Sequence, residues 1–192
     1  MQDKVNYISP ETFEKIVDYI PILGIRKWKD EDIKMLYKTM YYCALRANEA
    51  IFLKKENFNL IDREIYLGKT KTKKQDTAHI PHIFVDELTL WLSVKEKGRL
   101  FDGLTYDRVY HWCRRIGIDL DISAWQSNES EIGEKVITHL FRKSIGKEML
   151  NGTHGEKAST IPVISKHLRH SKPSMTVDHY LKASLESVKE AW

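Results

Sequence analysis

Cysteine is scarce in this sequence: Cys43 and Cys113 are its only two, and they form no CxxC pair. Two thiols cannot make a four-ligand zinc site unaided, so we expect reduced, mostly buried side chains in an intracellular protein. No apolar run approaches the ~20 residues that a membrane span requires, and the N-terminus has no signal-peptide core. Internal repeats and low-complexity tracts are also missing. We therefore expect one folded domain with no metal, no cofactor and no membrane partner.

A large excess of either charge is also missing, because the net charge of the whole chain is only +4. The placement of the basic residues is more informative than their excess. Residues 136–182 hold eight Lys and Arg against three acidic residues, which accounts for the whole net excess in a quarter of the chain. A local basic surface favours a polyanion, usually a nucleic acid. A solvated charged face is the alternative that charge alone leaves open.

Helical patterns fill most of the chain, and one region is extended. Ser9 and Pro10 begin the first helix as its N-cap and first residue, whereas from Phe58 the alternation is that of strands. The predicted fold class is mostly α with a small three-stranded antiparallel β-sheet (α+β). The predicted helices cover residues 10–20, 30–45, 50–53, 86–95, 105–116, 139–150 and 161–170; the predicted strands cover 59–61, 64–69 and 77–83; the predicted loops cover 119–135 and 151–159.

The stretch 161–183 places basic side chains close to a tyrosine. Apolar residues at helical spacing predict a helix that ends near His170, and after a turn at 171–174 a second short helix carries Tyr180. A phenol beside several cations is a poor core residue. It is a suitable nucleophile for phosphorus, because cations favour the phenolate and neutralise the phosphate that it attacks.

Other polar residues complete a set that suits a phosphodiester. His139 and Arg142 lie three apart on one helix and share a face, while Arg46 and a lysine-rich hairpin tip at 69–75 come earlier. Two guanidiniums can hold both non-bridging phosphate oxygens through forked N–H donors. A histidine can take the proton of a tyrosine, and a lysine can donate one to a leaving alkoxide. No metal is required, because the cations do what Mg²⁺ does elsewhere.

Five segments, in this order, resemble the motifs of the tyrosine recombinase (integrase) family. They are Ala44-Leu-Arg46-Ala-Asn-Glu49, resembling the first arginine box; Gly68-Lys-Thr-Lys71-Thr, resembling the lysine-bearing hairpin; Thr138-His139-Leu-Phe-Arg142, resembling the His-x-x-Arg box; Leu168-Arg-His170-Ser, resembling Leu-Gly-His-Ser; and Tyr180-Leu, resembling the nucleophile. The resemblance covers about residues 9–185.

The resemblance implies an enzyme, from a virus or mobile element, that cleaves and rejoins DNA strands without metal or ATP. The implied roles are a nucleophile that forms a 3′-phosphotyrosine (Tyr180), two phosphate-binding arginines (Arg46, Arg142), a general acid for the leaving 5′ oxygen (Lys71), a general acid/base (His139), a hydrogen-bond donor to the phosphate (His170) and a support for the first box (Glu49). The residues expected to contact DNA are Lys69, Lys73, Lys74, Lys143, Arg169 and Lys172. The implied partners are double-stranded DNA and further copies of the chain, as a dimer or tetramer on DNA.

The sequence departs from the family pattern at three points. Arg169 occupies the place where the family usually has glycine, and could tighten the backbone there or add a phosphate contact. The gap between His170 and Tyr180 is one residue longer than the common pattern. Integrases usually carry a helical DNA-clamping domain before the catalytic one, whereas here we expect residues 1–8 to be a loose segment and residues 9–192 to be a single catalytic domain.

Alternatives remain open at the level of residues and of function. Lys69 and Lys73 compete with Lys71 for the catalytic role, and Arg46 could instead be a buried ion-pair partner of Glu49. The alternative functions are relaxation of DNA in the manner of a type IB topoisomerase, and a DNA-binding module that has the fold but not the chemistry.

Overall fold

A computed structural model describes residues 7–69, 75–122, 136–153, 157–170 and 174–177 of the 192-residue chain. In chain order its elements are α1 (Pro10–Tyr19), α2 (Asp30–Tyr42), α3 (Ala47–Ile51), β1 (Phe58–Asn59), β2 (Glu64–Lys69), β3 (Gln75–His79), α4 (His82–Ser93), α5 (Tyr106–Asp119), α6 (Val136–Asn151) and α7 (Ile161–His167). Short 3₁₀ helices lie at Ile20–Leu23 and Lys55–Asn57. Residues 174–177 are also helical.

Helix α1 begins as its sequence predicts. The Ser9 side chain accepts a hydrogen bond from the backbone N–H of Thr12 at 3.2 Å, and Pro10 takes the first helical position, where no N–H is needed. Phe13 and Ile16 on its inner face are fully buried. A cap and an apolar stripe, both local signals, therefore place this helix.

Helix α2 ends at Tyr42, about three residues before its predicted end. The chain then turns through Ala44, whose φ of 51° is left-handed, and Arg46 becomes the N-cap residue of α3. Alanine rarely adopts this conformation because its Cβ approaches the following carbonyl oxygen. The turn changes the direction of the chain and brings Arg46 to the start of a new helix.

The sheet has three antiparallel strands in the order β1-β2-β3, as predicted. Ile65 on β2 pairs with Ala78 on β3, and both are buried. The turn between β1 and β2 is closed by the Asn59 side chain, which accepts a hydrogen bond from the Asp62 N–H at 3.2 Å. Arg63 leaves this turn in a left-handed conformation, with φ 54°.

The boundary between β3 and α4 differs from the prediction. A strand was expected over 77–83 and a helix from Asp86, but β3 ends at His79 and α4 begins at His82. Pro81 explains the change, because it has no N–H for a strand ladder and fits at the edge of a helix. It stands at the N-cap of α4 and its carbonyl accepts the N–H of Phe84 at 3.0 Å.

The core is formed where α2 packs between α1 and α6. Phe13 of α1 stacks on Tyr41 of α2, with ring centroids 3.9 Å apart, and Phe141 of α6 meets Phe13 and Tyr37 edge to face. These rings are fully buried or nearly so. Aromatic pairs of this geometry add to the free energy of area burial. The aromatic cluster therefore fixes α6, which bears His139 and Arg142, against α2, which leads to Arg46.

Both cysteines are free and buried, as expected. Burial raises the pKa of the Cys113 thiol to about 12, and its sulfur lies 3.2 Å from the Tyr37 hydroxyl oxygen. Among the described residues, no helix has the length and apolar character of a membrane span.

Candidate active site where four segments meet

Arg142 joins two turns that are far apart in sequence. It lies on α6 and is only 5% exposed. Its Nη1 donates to the carbonyl oxygen of Ala44, and its Nη2 donates to the carbonyl oxygen of Leu168. The first carbonyl lies two residues before Arg46, and the second lies two residues before His170. One buried guanidinium therefore brings three of the predicted motifs together.

Arg46 lies at the edge of this arrangement with its side chain 49% exposed. Its backbone N–H donates to Glu49 Oε2 at 2.7 Å, and its Nη1 donates to Glu49 Oε1 at 2.7 Å. The ion pair considered as an alternative is therefore present, but Arg46 is not buried by it. The carboxylate orients a guanidinium that reaches solvent.

Glu49 also binds a second arginine. Arg169 Nη2 lies 2.6 Å from Glu49 Oε2, and its Nη1 lies 3.2 Å from Oδ2 of Asp76 at the start of β3. Burial alone would raise the pKa of Glu49. The charge of Arg169 and hydrogen bonds from Arg169 and Arg46 outweigh this and lower the pKa below its ordinary value. Glu49 is thus a carboxylate that holds two guanidiniums.

Arg169 has an unusual backbone conformation, with φ 52°. This left-handed geometry is the one that glycine adopts without penalty, which accounts physically for a glycine at the corresponding place in the family motif. The side chain is only 7% exposed, and its Nε has no hydrogen-bond partner in the part of the chain described. Its two Nη groups face carboxylates within the protein, and this orientation favours an internal role over the DNA contact expected for it.

His139 lies in the first turns of α6, one turn before Arg142. Partial burial lowers its pKa below 6.5, and the nearby positive charges of Arg142, Arg46 and Lys143 lower it further. A depressed pKa keeps the imidazole neutral at pH 7, the form that can accept a proton. The charges of these three cations therefore lie near enough to His139 to act on it, since charge interactions weaken with distance.

His170 follows the turn at Arg169. Its Nδ1 lies 2.8 Å from the hydroxyl oxygen of Thr176, which is fully buried. Its backbone N–H donates to the Ser165 carbonyl at 3.0 Å and closes the end of α7. These two contacts hold the imidazole between α7 and the helical residues 174–177.

The structure therefore brings together Arg46, Glu49, His139, Arg142, Lys143, Arg169 and His170. The remaining predicted residues lie outside the described ranges: Lys71, Lys73, Lys74, Lys172 and Tyr180. Lys69 belongs to β2, but its side chain is not described. The roles assigned to these residues stay predictions.

Asp76 is a residue of this arrangement that the sequence did not point out. It is the first acidic residue after the lysine-rich tip, which is the one local signal that it offers. Its partner Arg169 is 93 positions away, so their pairing depends on the packing of the hairpin against α7.

A cavity lies apart from this group of residues. This cavity of about 460 Å³ is lined by residues that include Tyr42, His79 and His167, and by none of the predicted catalytic residues that the structure describes. Within the described ranges, no three His, Cys, Asp or Glu side chains are placed to hold a metal ion.

Among known protein families, the sequence pattern of the phage integrase family matches residues 6–186. The catalytic domain of bacteriophage HP1 integrase superposes with a TM-score of 0.60 at 20% identity, covering 94% of this chain and 93% of that one. No curated protein matches the sequence.

Two other similar structures contain DNA. XerH recombinase in a post-cleavage complex with a palindromic difH substrate superposes with a TM-score of 0.68 at 19% identity, over 98% of this chain and 53% of that one. Tn1549 transposon integrase with transposon right end DNA gives 0.58 at 14% identity, over 98% and 67%. The chain thus spans about half the length of XerH. The predicted fold, mostly α with a three-stranded antiparallel sheet, is confirmed.

Proposed function

This chain belongs to the phage integrase family and is a tyrosine recombinase catalytic domain, and we propose that it cleaves and rejoins DNA strands through a 3′-phosphotyrosine on Tyr180. The observation that carries the proposal is the buried guanidinium of Arg142. It binds the carbonyls of Ala44 and Leu168, so Arg46, His139 and His170 lie around it. A solvated basic face, the alternative that charge alone leaves open, would need no such buried connection between distant turns.

Arg46 and Arg142 are the proposed phosphate-binding residues. Their guanidiniums can neutralise the two non-bridging oxygens, on which negative charge builds up as the phosphorus becomes five-coordinate. Glu49 fixes the orientation of Arg46 before DNA arrives, through two hydrogen bonds of 2.7 Å. Groups held in place in advance need less reorganisation during the reaction.

The proposed reaction exchanges one phosphoester bond for another. The Tyr180 oxygen attacks the phosphorus while His139, neutral because of its lowered pKa, accepts the phenol proton. The bond from phosphorus to the 5′ oxygen breaks, and Lys71 donates a proton to that oxygen. His170 donates a hydrogen bond to the phosphate. Because the energy of the broken ester is retained in the phosphotyrosine, the reverse attack by a 5′-hydroxyl rejoins the strand without ATP.

Double-stranded DNA is the proposed partner, and the chain would act as a dimer or tetramer on it. Support comes from two similar structures, in which XerH recombinase and Tn1549 integrase are in complex with DNA. The basic residues proposed to bind the backbone are Lys69, Lys73, Lys74, Lys143 and Lys172. With Arg169 directed at Glu49 and Asp76, we assign it no DNA contact.

The test is trapping of a covalent adduct. DNA sites selected by the protein from a random duplex pool are rebuilt with a nick beside the cleavage position, so that the short product leaves and rejoining fails. The wild-type protein should form an adduct that survives SDS, and Tyr180→Phe should bind the same DNA without forming one. Tyr19→Phe is the matched control, because its hydroxyl binds Asp119 on α5.

Three outcomes are distinguishable in this experiment. Adduct formation by wild type and Tyr19→Phe, but not by Tyr180→Phe, supports the proposal. Specific binding without any adduct indicates a DNA-binding module of the same fold. If the protein forms the adduct and relaxes supercoiled plasmid, but never exchanges strands between two sites, its activity is that of a topoisomerase.

A further inference from the structure

Arg169 connects three segments that are distant in sequence. It follows the carbonyl of Leu168, which Arg142 binds, and precedes His170. Its guanidinium reaches Glu49 in α3 at 2.6 Å and Asp76 in β3 at 3.2 Å, with a longer contact of 3.4 Å to the Ala44 carbonyl. The side chain is almost fully buried, so these contacts decide its orientation.

The first of these contacts leads to Arg46. The Oε2 atom that receives Arg169 Nη2 also accepts the backbone N–H of Arg46, and Oε1 of the same carboxylate accepts Arg46 Nη1. If Arg169 is lost, only Arg46 of these two arginines remains to hold the Glu49 carboxylate. Arg169 therefore restricts Arg46 through Glu49.

The second contact leads to the hairpin. Asp76 is the second residue of β3, directly after Gln75, whose partner in the ladder is Lys69 of β2. The ladder is irregular between Tyr66 and Lys69, so hydrogen bonding between the strands holds this end less firmly. The ion pair with Arg169 supplies an anchor at that end of the sheet.

We propose that Arg169 is a positioning residue that holds Arg46, through Glu49, and the lysine-bearing hairpin, through Asp76, in one fixed arrangement with His170. The inference rests on the proposed function for its catalytic consequence, but its structural part does not. Arginine suits this task because its planar fork presents separate Nη donors to two carboxylates, which a lysine ammonium cannot do in the same geometry.

Four variants separate the parts of this arrangement. Arg169→Gly removes the guanidinium and keeps the left-handed turn, because glycine adopts φ 52° without strain. Asp76→Asn and Glu49→Gln remove the charge of one carboxylate each at nearly constant shape. Arg115→Met is the matched control, since it removes an exposed ion pair to Asp119 within α5.

Hydrogen exchange of the DNA-free protein tests the positioning directly. Asp76→Asn should speed amide exchange of β2 and β3 by about tenfold and leave that of α3 unchanged. Glu49→Gln should speed exchange of α3 and leave that of β2 and β3 unchanged. Arg169→Gly should speed both, and Arg115→Met neither. If Arg169→Gly exchanges like wild type in both regions, Arg169 holds neither of them and the inference is wrong.

Leaving-group chemistry tests the catalytic consequence in the full chain. A nicked duplex whose scissile 5′ oxygen is replaced by sulfur needs no general acid, because a thiolate leaves without a proton. Asp76→Asn should slow single-turnover cleavage of the oxygen substrate by about tenfold or more, and that of the sulfur substrate by less than about twofold. Glu49→Gln should slow both substrates, because it acts on the phosphate-binding arginine.

Hydrogen exchange and cleavage kinetics together distinguish a failure of the positioning inference from a failure of the proposed function. If Asp76→Asn slows cleavage of both substrates equally, the contact between Arg169 and Asp76 does not position the lysine that protonates the leaving group, and that part of the inference is wrong. If wild type cleaves neither substrate, the proposed function fails, and the exchange rates still decide whether Arg169 positions α3 and the hairpin.

Discussion

Arg142 is buried between two carbonyl oxygens, whereas Arg46 reaches solvent, although both are proposed to bind the same phosphate. The two side chains therefore differ in what they contribute to stability. A buried carbonyl that loses its donor costs free energy, because water cannot reach it. An exposed ion pair such as that of Arg46 and Glu49 contributes little.

Replacement of each arginine by methionine should show this difference. Arg142→Met should lower the free energy of unfolding by about 3 kcal/mol, because the Leu168 carbonyl loses the donor Arg142 and the Ala44 carbonyl keeps only the longer contact from Arg169. Arg46→Met should lower it by less than about 1 kcal/mol. Urea unfolding measures both. Each variant should also lose adduct formation. Equal stabilities of the two variants would contradict the structural role of Arg142.

The residues of the candidate site were predictable from sequence in their order along the chain, but their contacts were not. The boxes around Arg46, His139 and His170 are local patterns that resemble a family. The binding of Arg142 to two backbone carbonyls and the pairing of Arg169 with Asp76 join residues that are 26 to 98 positions apart. Such contacts follow from packing of α6 and the hairpin, and no local spacing encodes them.

At the level of elements, the helices and strands were predictable where capping and periodicity agree. Helix α1 has Ser9, Pro10 and an apolar stripe, and it begins where they predict. Helix α2 ends earlier than predicted because Ala44 turns the chain in a left-handed conformation that is usually signalled by glycine or asparagine. An alanine in that position gives no warning in the sequence.

The hairpin turn offers a test of such a conformation at a less buried position. Arg63 has φ 54° between β1 and β2 and is only partly buried. Arg63→Gly should be more stable than Arg63→Ala by about 1 kcal/mol, because alanine retains the left-handed strain and glycine does not. Thermal or urea unfolding of the two variants measures the difference. Equal stabilities would show that the turn relaxes when the side chain is shortened.

For the whole molecule, the modest net charge makes the position of each cation decisive for DNA binding. Lys143 lies four residues after His139 on α6, so the two share a helix face, and its charge lowers the pKa of His139; we therefore assign Lys143 to the proposed DNA-binding surface. Lys15 on α1 is exposed, and its charge acts on Glu11 of the same helix. Each lysine that neutralises a phosphate releases counterions when DNA binds.

Binding of DNA should therefore weaken steeply with salt, and Lys143 should contribute to the slope. Lys143→Met should reduce the magnitude of the slope of log K against log salt by about 1, whereas Lys15→Met should leave it unchanged. Fluorescence anisotropy with a labelled duplex at several salt concentrations gives the slopes. A flat salt response of the wild type would argue against the basic surface as the DNA site.

We expect the stability of the whole fold to depend also on a histidine outside the candidate site. His167 ends α7, is 8% exposed, and its Nε2 lies 3.0 Å from the Tyr42 carbonyl at the end of α2. Burial lowers its pKa to about 4, and the neighbouring His79, Arg142 and Arg169 oppose its protonation as well. Between pH 6.5 and pH 4 the unfolded chain consequently binds a proton that the folded chain does not.

Stability linked to His167 should be complete above pH 6.5 and decrease as the pH falls toward 4. From pH 7 to pH 5 the free energy of unfolding should fall by about 2 kcal/mol through this residue. His167→Gln removes the titration and keeps a side chain that can donate to the Tyr42 carbonyl, so its stability should change less over this range. Urea unfolding at pH 5, 6 and 7 measures both proteins, with His111→Gln on the surface of α5 as the control. A pH dependence of His167→Gln identical to that of wild type would contradict the lowered pKa of His167.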